Sequence, residues 1–353
     1  MKRKLALLAA GAALASTASP AQDTPARPTF REDGSVAVPA FVLPPSELSS
    51  PEARAAQAAR AKRPTSMPVV ELPIDEQRKF LAAAFAPQLA RMREVYPVDI
   101  SEETVAGIPV RVVTPKGRKP DPRRVLINVH GGAFTTCWEV CSLLESVPVA
   151  ALGGYKVVSV NYRMAPEHRH PAGAEDATAV YRELLKRYKP RSIGVFGCSA
   201  GGALTAQLAS WIPAHGLPQV GAIGIFGAGA VRFESGDSAW VTAYIDGSFP
   251  PPDPKLDMTR GYFTGADMSD AVISPARHPE VLAKFPPTLV ITGTRAMDMS
   301  PAVFTNSALL KAGVKSTLIV GEAMGHCYVY SPDLPEARDA HQATVSFFRE
   351  NLK

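Results

Sequence analysis

The sequence predicts an α/β fold built on one mostly parallel sheet, and two observations predict it. From about residue 96 onward, short apolar runs recur: PVRVVT (109–114), RVLINV (124–129), KVVSVN (156–161), SIGVFG (192–197), VGAIGIF (220–226), TLVITG (288–293) and STLIVG (316–321). They are continuous rather than alternating, the pattern of strands covered on both faces. Helix-like stretches lie between most of them, and a strand followed by a helix followed by a strand is how parallel neighbours are connected. The 353 residues leave room for one large domain or two ordinary ones, and 46% hydrophobic with 20% charged residues suits a packed globular chain. No internal repeat is visible.

Taken in order, the chain opens on a positive MKRK, a short apolar LALLAAGAALA and the small residues STASPA. This is the layout of a signal peptide over residues 1–21, with cleavage after Ala21 and Ser19 at the −3 position. The apolar run is too short to span a bilayer, so the expected mature protein is periplasmic or secreted, with no stable membrane span. Without Lys2, Arg3 and Lys4 the 38 basic residues fall to 35 against 33 acidic ones. No basic stripe remains, which argues against a nucleic-acid partner. Four cysteines, Cys137, Cys141, Cys198 and Cys327, fit an exported enzyme better than a disulfide-built scaffold. Their pairing does not follow from spacing.

Residues 22–95 read as an N-terminal arm and cap helices. The arm, to about residue 73, is rich in Pro and Ala. Within it, SSPEARAAQAARAK carries helix start signals: Ser50 as N-cap, Pro51 at the first position and Glu52 in the first turn. A second helix is expected from Asp75 to Arg93, with Phe80, Leu81, Phe85, Leu89 and Met92 on one face and a kink or break at Pro87. Residues 96–353 then form the main domain. A stretch at about 231–286, rich in Pro, Gly, Asp and aromatics, interrupts the strand–helix rhythm and reads as a cap insertion. Pro335–Asn351 supplies a last helix.

The candidate chemistry centres on GCSAG (197–201). The strand SIGVFG ends there and the helix GGALTAQLASW begins, with Leu204, Leu208 and Trp211 on one face. A serine in that strand–turn–helix setting is a candidate nucleophile. Flanking glycines let a strained turn close, and the free N–H groups of the helix start favour negative charge. NVHGGAF (128–134) follows another strand, and the N–H groups of Gly131 and Gly132, with that of Ala200, are candidate oxyanion donors. His326, in VGEAMGHCYVY beyond the strand STLIVG, is the candidate base. Asp298, in TLVITGTRAMDMS, is the candidate acid, with Glu322 as its rival. The chain order Ser199, Asp298, His326 separates this arrangement from the other two common serine-hydrolase orders.

Four stretches, HGGAF, VNYRMAPEHRHPA, GCSAGG and MGHCY, follow one another in this order over about residues 95–353. On them the chain resembles the hormone-sensitive-lipase-like branch of the α/β-hydrolases, the bacterial carboxylesterases. The resemblance implies an α/β-hydrolase fold: a mostly parallel eight-stranded sheet flanked by helices, under a helical cap. It also implies a serine carboxylic-ester hydrolase that works through an acyl-enzyme on a small-molecule ester, with no cofactor and no metal. Homodimers are common in that branch. Two departures stand out. Cys198 occupies a position where the family usually has aspartate, and Ala296 stands where the acid commonly follows GTR, with Asp298 two residues further on. His168, His170 and Glu167 fall in the YRMAPEH block, where the implied role is structural. Trp138, Trp240, Tyr244, Tyr262 and Phe263 are candidates either for an acyl or aryl pocket or for plain packing. Two other functions share these features: a non-catalytic binding protein on the same fold, and a lactone or amide hydrolase.

Overall fold

The computed structural model describes residues 27–62, 72–232, 235–246, 249, 251–253 and 255–353. The signal peptide expected at 1–21 lies outside them. The chain divides after Pro44 into two compact units. In the first, where an extended arm was expected, Thr29–Phe30 (β1) pairs antiparallel with Val36–Ala37 (β2). Asp33 in the connecting turn accepts the Ser35 N–H at 2.9 Å.

The second unit begins with two helices. In Pro51–Ala59 (α1), the Ser50 hydroxyl accepts the Ala53 N–H at 3.0 Å, which is the expected cap. The next helix, Ile74–Val95 (α2), runs through Pro87 without interruption, so the expected break does not occur. A mid-helix proline costs about 3 kcal/mol locally. Here Phe85 before it, and Leu89 and Met92 after it, all pack on the same apolar cluster and keep the helix continuous. Phe80, assigned to that face from its spacing, is exposed instead.

Eight strands form the main sheet: Val98–Val105 (β3), Ile108–Pro115 (β4), Val125–Val129 (β5), Lys156–Val160 (β6), Ile193–Cys198 (β7), Ala222–Phe226 (β8), Thr288–Gly293 (β9) and Ser316–Gly321 (β10). Their spatial order is β10-β9-β8-β7-β5-β6-β4-β3. Strand β4 runs antiparallel to both neighbours, and the other pairs are parallel. The seven expected strands are present. The eighth, β3, was missed because VDISEETV is an edge strand with mostly exposed side chains and no apolar run. The central strands β5, β7, β8 and β9 are buried along their whole lengths.

Helices cover both faces. Trp138–Gly153 (α3) and Pro335–Asn351 (α9) join α2 on one side, where Met92, Leu144, Val147 and Phe348 are completely buried. Ala172–Leu184 (α4), Ala200–Ala214 (α5) and Met299–Lys311 (α8) cover the other, through Val180, Leu204 and Leu309. Between β8 and β9 the chain makes Asp237–Ile245 (α6) and the single turn Pro279–Leu282 (α7). Loops at the carboxyl ends of β5, β7, β9 and β10 carry the candidate functional residues, the edge at which open α/β sheets bind ligands. No helix among the described residues is long and apolar enough to cross a membrane.

Candidate active site

Ser199 sits at the tip of a tight turn between β7 and α5, with φ 60° and ψ −125°. A serine pays strain in that region of backbone space, and close packing imposes it. A Cβ at Gly197 would lie 2.0 Å from the Val129 carbonyl oxygen, and one at Gly201 would lie 1.9 Å from it. Only glycine at both positions lets α5 press against the end of β5. The Ser199 N–H donates to Phe226 O at 2.9 Å, which fixes the turn to β8.

His326 and Asp298 complete a line with this hydroxyl. The Ser199 Oγ–H reaches His326 Nε2 at 2.9 Å. On the other side of the ring, Nδ1–H donates to Asp298 Oδ1 at 2.6 Å. Asp298 is fully buried, and its second oxygen accepts the Thr292 hydroxyl at 2.6 Å. The two-residue displacement from Ala296 is accommodated by the turn that follows β9: Asp298 ends it at the N-cap position of α8, with its side chain turned to His326 and Thr292 instead of capping the helix. Glu322 points elsewhere: it accepts the Ser46 hydroxyl at 2.8 Å. From the cap side, the Phe249 ring stands edge-on to His326, with centroids 5.1 Å apart.

The glycine loop after β5 turns through successive residues of positive φ, Gly132 (114°), Ala133 (54°) and Phe134 (61°). Such runs turn neighbouring N–H groups toward one point and make anion-binding concavities. A Cβ on Gly132 would lie 2.2 Å from the Thr136 carbonyl oxygen, so this turn closes only around glycine. One expected donor does not fit. The Gly131 N–H is turned down into the protein and donates to Glu145 Oε1 at 2.9 Å. The N–H groups of Gly132, Ala133 and Ala200 have no acceptor among the described residues and remain for an oxyanion.

Glu145, on α3, had not been singled out in the sequence. It is buried, and four donors converge on it: the Gly131 N–H, the Tyr330 hydroxyl at 2.6 Å, Asn128 Nδ2 at 2.7 Å and the Cys198 N–H at 3.1 Å. One carboxyl group thereby ties the glycine loop, β5, the serine turn and the segment after His326. Burial pushes its pKa up to about 7, against the pull of these hydrogen bonds. A lone Glu in the apolar run CSLLESVPVAAL was the available signal, since an unpaired carboxylate is rarely buried.

The YRMAPEH block supports the same loop. The Tyr162 hydroxyl donates to His130 O at 2.7 Å, and its ring stacks on His130 with centroids 4.6 Å apart. The Ala165 N–H donates to Phe134 O at 2.8 Å. Arg78 of α2 clasps both Glu167 oxygens, at 2.7 and 2.8 Å, and donates to Thr135 O. Among the described residues, no group of three or more His, Cys, Asp or Glu is placed to hold a metal ion. Of the aromatic candidates, Tyr262 is fully buried, stacks on Phe134 and accepts the Gly173 N–H at 2.9 Å, while Phe263 meets Phe134 edge-on. Trp138 lies 5.6 Å from the His130 ring. Trp240 and Tyr244 are exposed on α6.

The four cysteines are paired: Cys137 with Cys141, and Cys198 with Cys327. The second pair joins the residue before Ser199 to the residue after His326, a relation that was visible in the sequence as adjacency and not as a bond.

A family model described as alpha/beta hydrolase fold matches residues 126–330, more than half of the chain. A region of 146 residues is 36% identical to arylacetamide deacetylase from Oryctolagus cuniculus, covering 34% of this chain and 34% of that protein. A region of 170 residues is 35% identical to carboxylesterase NlhH from Mycobacterium tuberculosis, covering 42% of this chain and 52% of that one. The matched region thus spans between a third and about half of these relatives. Among solved structures, esterase E25 superposes with a TM-score of 0.77 at 27% identity, over 90% of this chain and 99% of that one. An esterase from the bacterial hormone-sensitive lipase family superposes with a TM-score of 0.74 at 25% identity, over 86% and 99%.

Proposed function

The chain belongs to the alpha/beta hydrolase family, and from that premise we propose that it is a carboxylic-ester hydrolase acting through a Ser199 acyl-enzyme. The line Ser199 Oγ, His326 Nε2, His326 Nδ1 and Asp298 Oδ1, at 2.9 and 2.6 Å, carries the reading. His326 takes the Ser199 proton as the oxygen attacks the ester carbonyl. The tetrahedral oxyanion faces the N–H groups of Gly132, Ala133 and Ala200. His326 then gives its proton to the departing alcohol, and water, deprotonated in turn by His326, releases the acid and restores the serine. Asp298 orients the ring and stabilises its charged form. The names of the relatives, a carboxylesterase and a deacetylase of arylacetamides, support an acyl-transfer class and leave an amide hydrolase as the second reading.

We place the mature protein outside the cytoplasm, in the periplasm or secreted. The MKRK start and its apolar run support this, and so do two disulfides, which persist in oxidising compartments.

The test is hydrolysis of p-nitrophenyl esters from acetate to decanoate, with an arylacetamide series alongside. The reading requires turnover of the esters, loss of it in Asp298→Asn and retention in Glu322→Gln. A folded wild-type protein that is inert across both series is a binding protein on this fold. Turnover of the amides alone moves the activity to the second reading.

A further inference from the structure

We propose that the Cys198–Cys327 disulfide is a positioning element of the reaction, a covalent clamp that sets His326 against Ser199. The inference rests on the acyl-enzyme reading above. The bond joins segments 129 residues apart, with Cα atoms separated by 6.3 Å, and each half-cystine is the chain neighbour of a reacting residue. The distance from Ser199 to His326 is therefore bounded by one short covalent bridge as well as by the fold. Besides the hydrogen bond of His326 to Ser199 itself, the base loop is tied to the serine turn through Glu145, from the Cys198 N–H to the Tyr330 hydroxyl; the disulfide is the covalent tie.

The bridge also lies under the ring that it would position. Cys327 Sγ is 3.7 Å from His326 Nε2. A Cβ added to Gly227 would meet Cys327 Sγ at 2.9 Å, Cys198 Sγ at 3.0 Å and His326 Cε1 at 3.3 Å, so the two sulfurs and the ring edge share one wall of packing. Cys327 has φ 49° and Ser199 has φ 60°, so both residues stand in left-handed backbone next to the bridge. Chains held in such conformations relax when a constraint is removed. A shift near 1 Å in a reacting group is enough to cost a rate factor of about 100.

Reduction by a dithiol tests the clamp. The dithiol supplies two electrons and two protons and closes to its own cyclic disulfide, and Cys198 and Cys327 become thiols. In the Cys137→Ala/Cys141→Ala variant, any thiols released come from the clamp alone. The expected result is two thiols per chain and a fall of about tenfold or more in kcat at unchanged KM. The pH profile of kcat/KM should shift, and re-oxidation should restore the rate. A bridge of 129 residues also stabilises the fold by restricting the unfolded chain, so assays are run well below the melting temperature of each form. If the buried bond resists the dithiol, Cys198→Ala/Cys327→Ala replaces reduction: kcat should fall by the same factor and the residual activity should ignore reductant. Full kcat with two thiols counted, or full kcat in the folded double variant, overturns the proposal. An oxidised wild-type protein inert on every ester and amide overturns the acyl-enzyme reading instead.

Discussion

The candidate site has two layers, and they were built by different means. The upper layer is the proposed reaction face: Ser199, His326 and the N–H groups of Gly132, Ala133 and Ala200. The turns that carry Ser199 and Gly132 close only around glycine, Gly197 and Gly201 against Val129 O and Gly132 against Thr136 O. The lower layer faces the core: Glu145 with its four donors, and the Cys198–Cys327 bridge. Its members come from α3, β5, the serine turn and the segment before α9, and none is near its partners in sequence. In the proposed reaction the upper layer supplies the reacting atoms, while the lower one holds the loops that present them. Replacements in the upper layer should therefore remove chemistry without unfolding the protein, and those in the lower layer should blur geometry and stability together.

The largest effect belongs to the proposed nucleophile. Ser199→Ala should lower kcat on activated esters by at least about 10⁴-fold, with little change in thermal stability, measured by ester turnover and by melting. Asp298→Asn follows, at up to about 10⁴-fold, because the amide favours the wrong tautomer of His326. Rates that stay within a few-fold of wild type in Asp298→Asn would move the orienting group away from the 2.6 Å contact. Third comes Gly132→Ala. Its Cβ would strike Thr136 O at 2.2 Å from a φ of 114°, so the loop must reopen. The loss of an aligned oxyanion donor is expected to lower kcat by about 10²–10³-fold with KM nearly unchanged. An unchanged kcat would mean that the oxyanion is held elsewhere.

What the sequence revealed divides along the same line. Seven of the eight strands were readable because each is a buried apolar run, whereas β3 carries its signal only in pairing with β4. Ser199, His326 and Asp298 were readable because strand–turn junctions put them at fixed places in the chain. Gly131 was misread: two adjacent glycines look alike as donors, and only the direction of the N–H toward Glu145 separates Gly131 from Gly132. The break expected as one outcome at Pro87 does not occur, because the packing of Phe85, Leu89 and Met92 on either side outweighs a local preference. Glu145 gave a signal by composition alone, and its meaning depends on three other segments arriving above it.

Glu145 offers the subtlest separation of the layers. Glu145→Gln keeps the shape but turns one acceptor oxygen into a donor, opposite groups that already donate. An uncompensated buried polar group of this kind costs about 1–3 kcal/mol, and slack in the Gly131 turn should lower kcat by about tenfold. The stability difference should itself depend on pH. The wild-type carboxyl releases its proton near 4.5 when unfolded and near 7 when folded. Between those values the folded state binds more protons, so wild-type stability from this group falls as pH rises. The glutamine has no such dependence. The wild-type advantage over Glu145→Gln should therefore be greatest and constant below about pH 4.5, narrow steadily toward pH 7 and level off above it, read from urea unfolding of both proteins at each pH. An advantage that grows across that interval would mean that the four donors outweigh burial and that Glu145 is a fully charged anchor beneath the site.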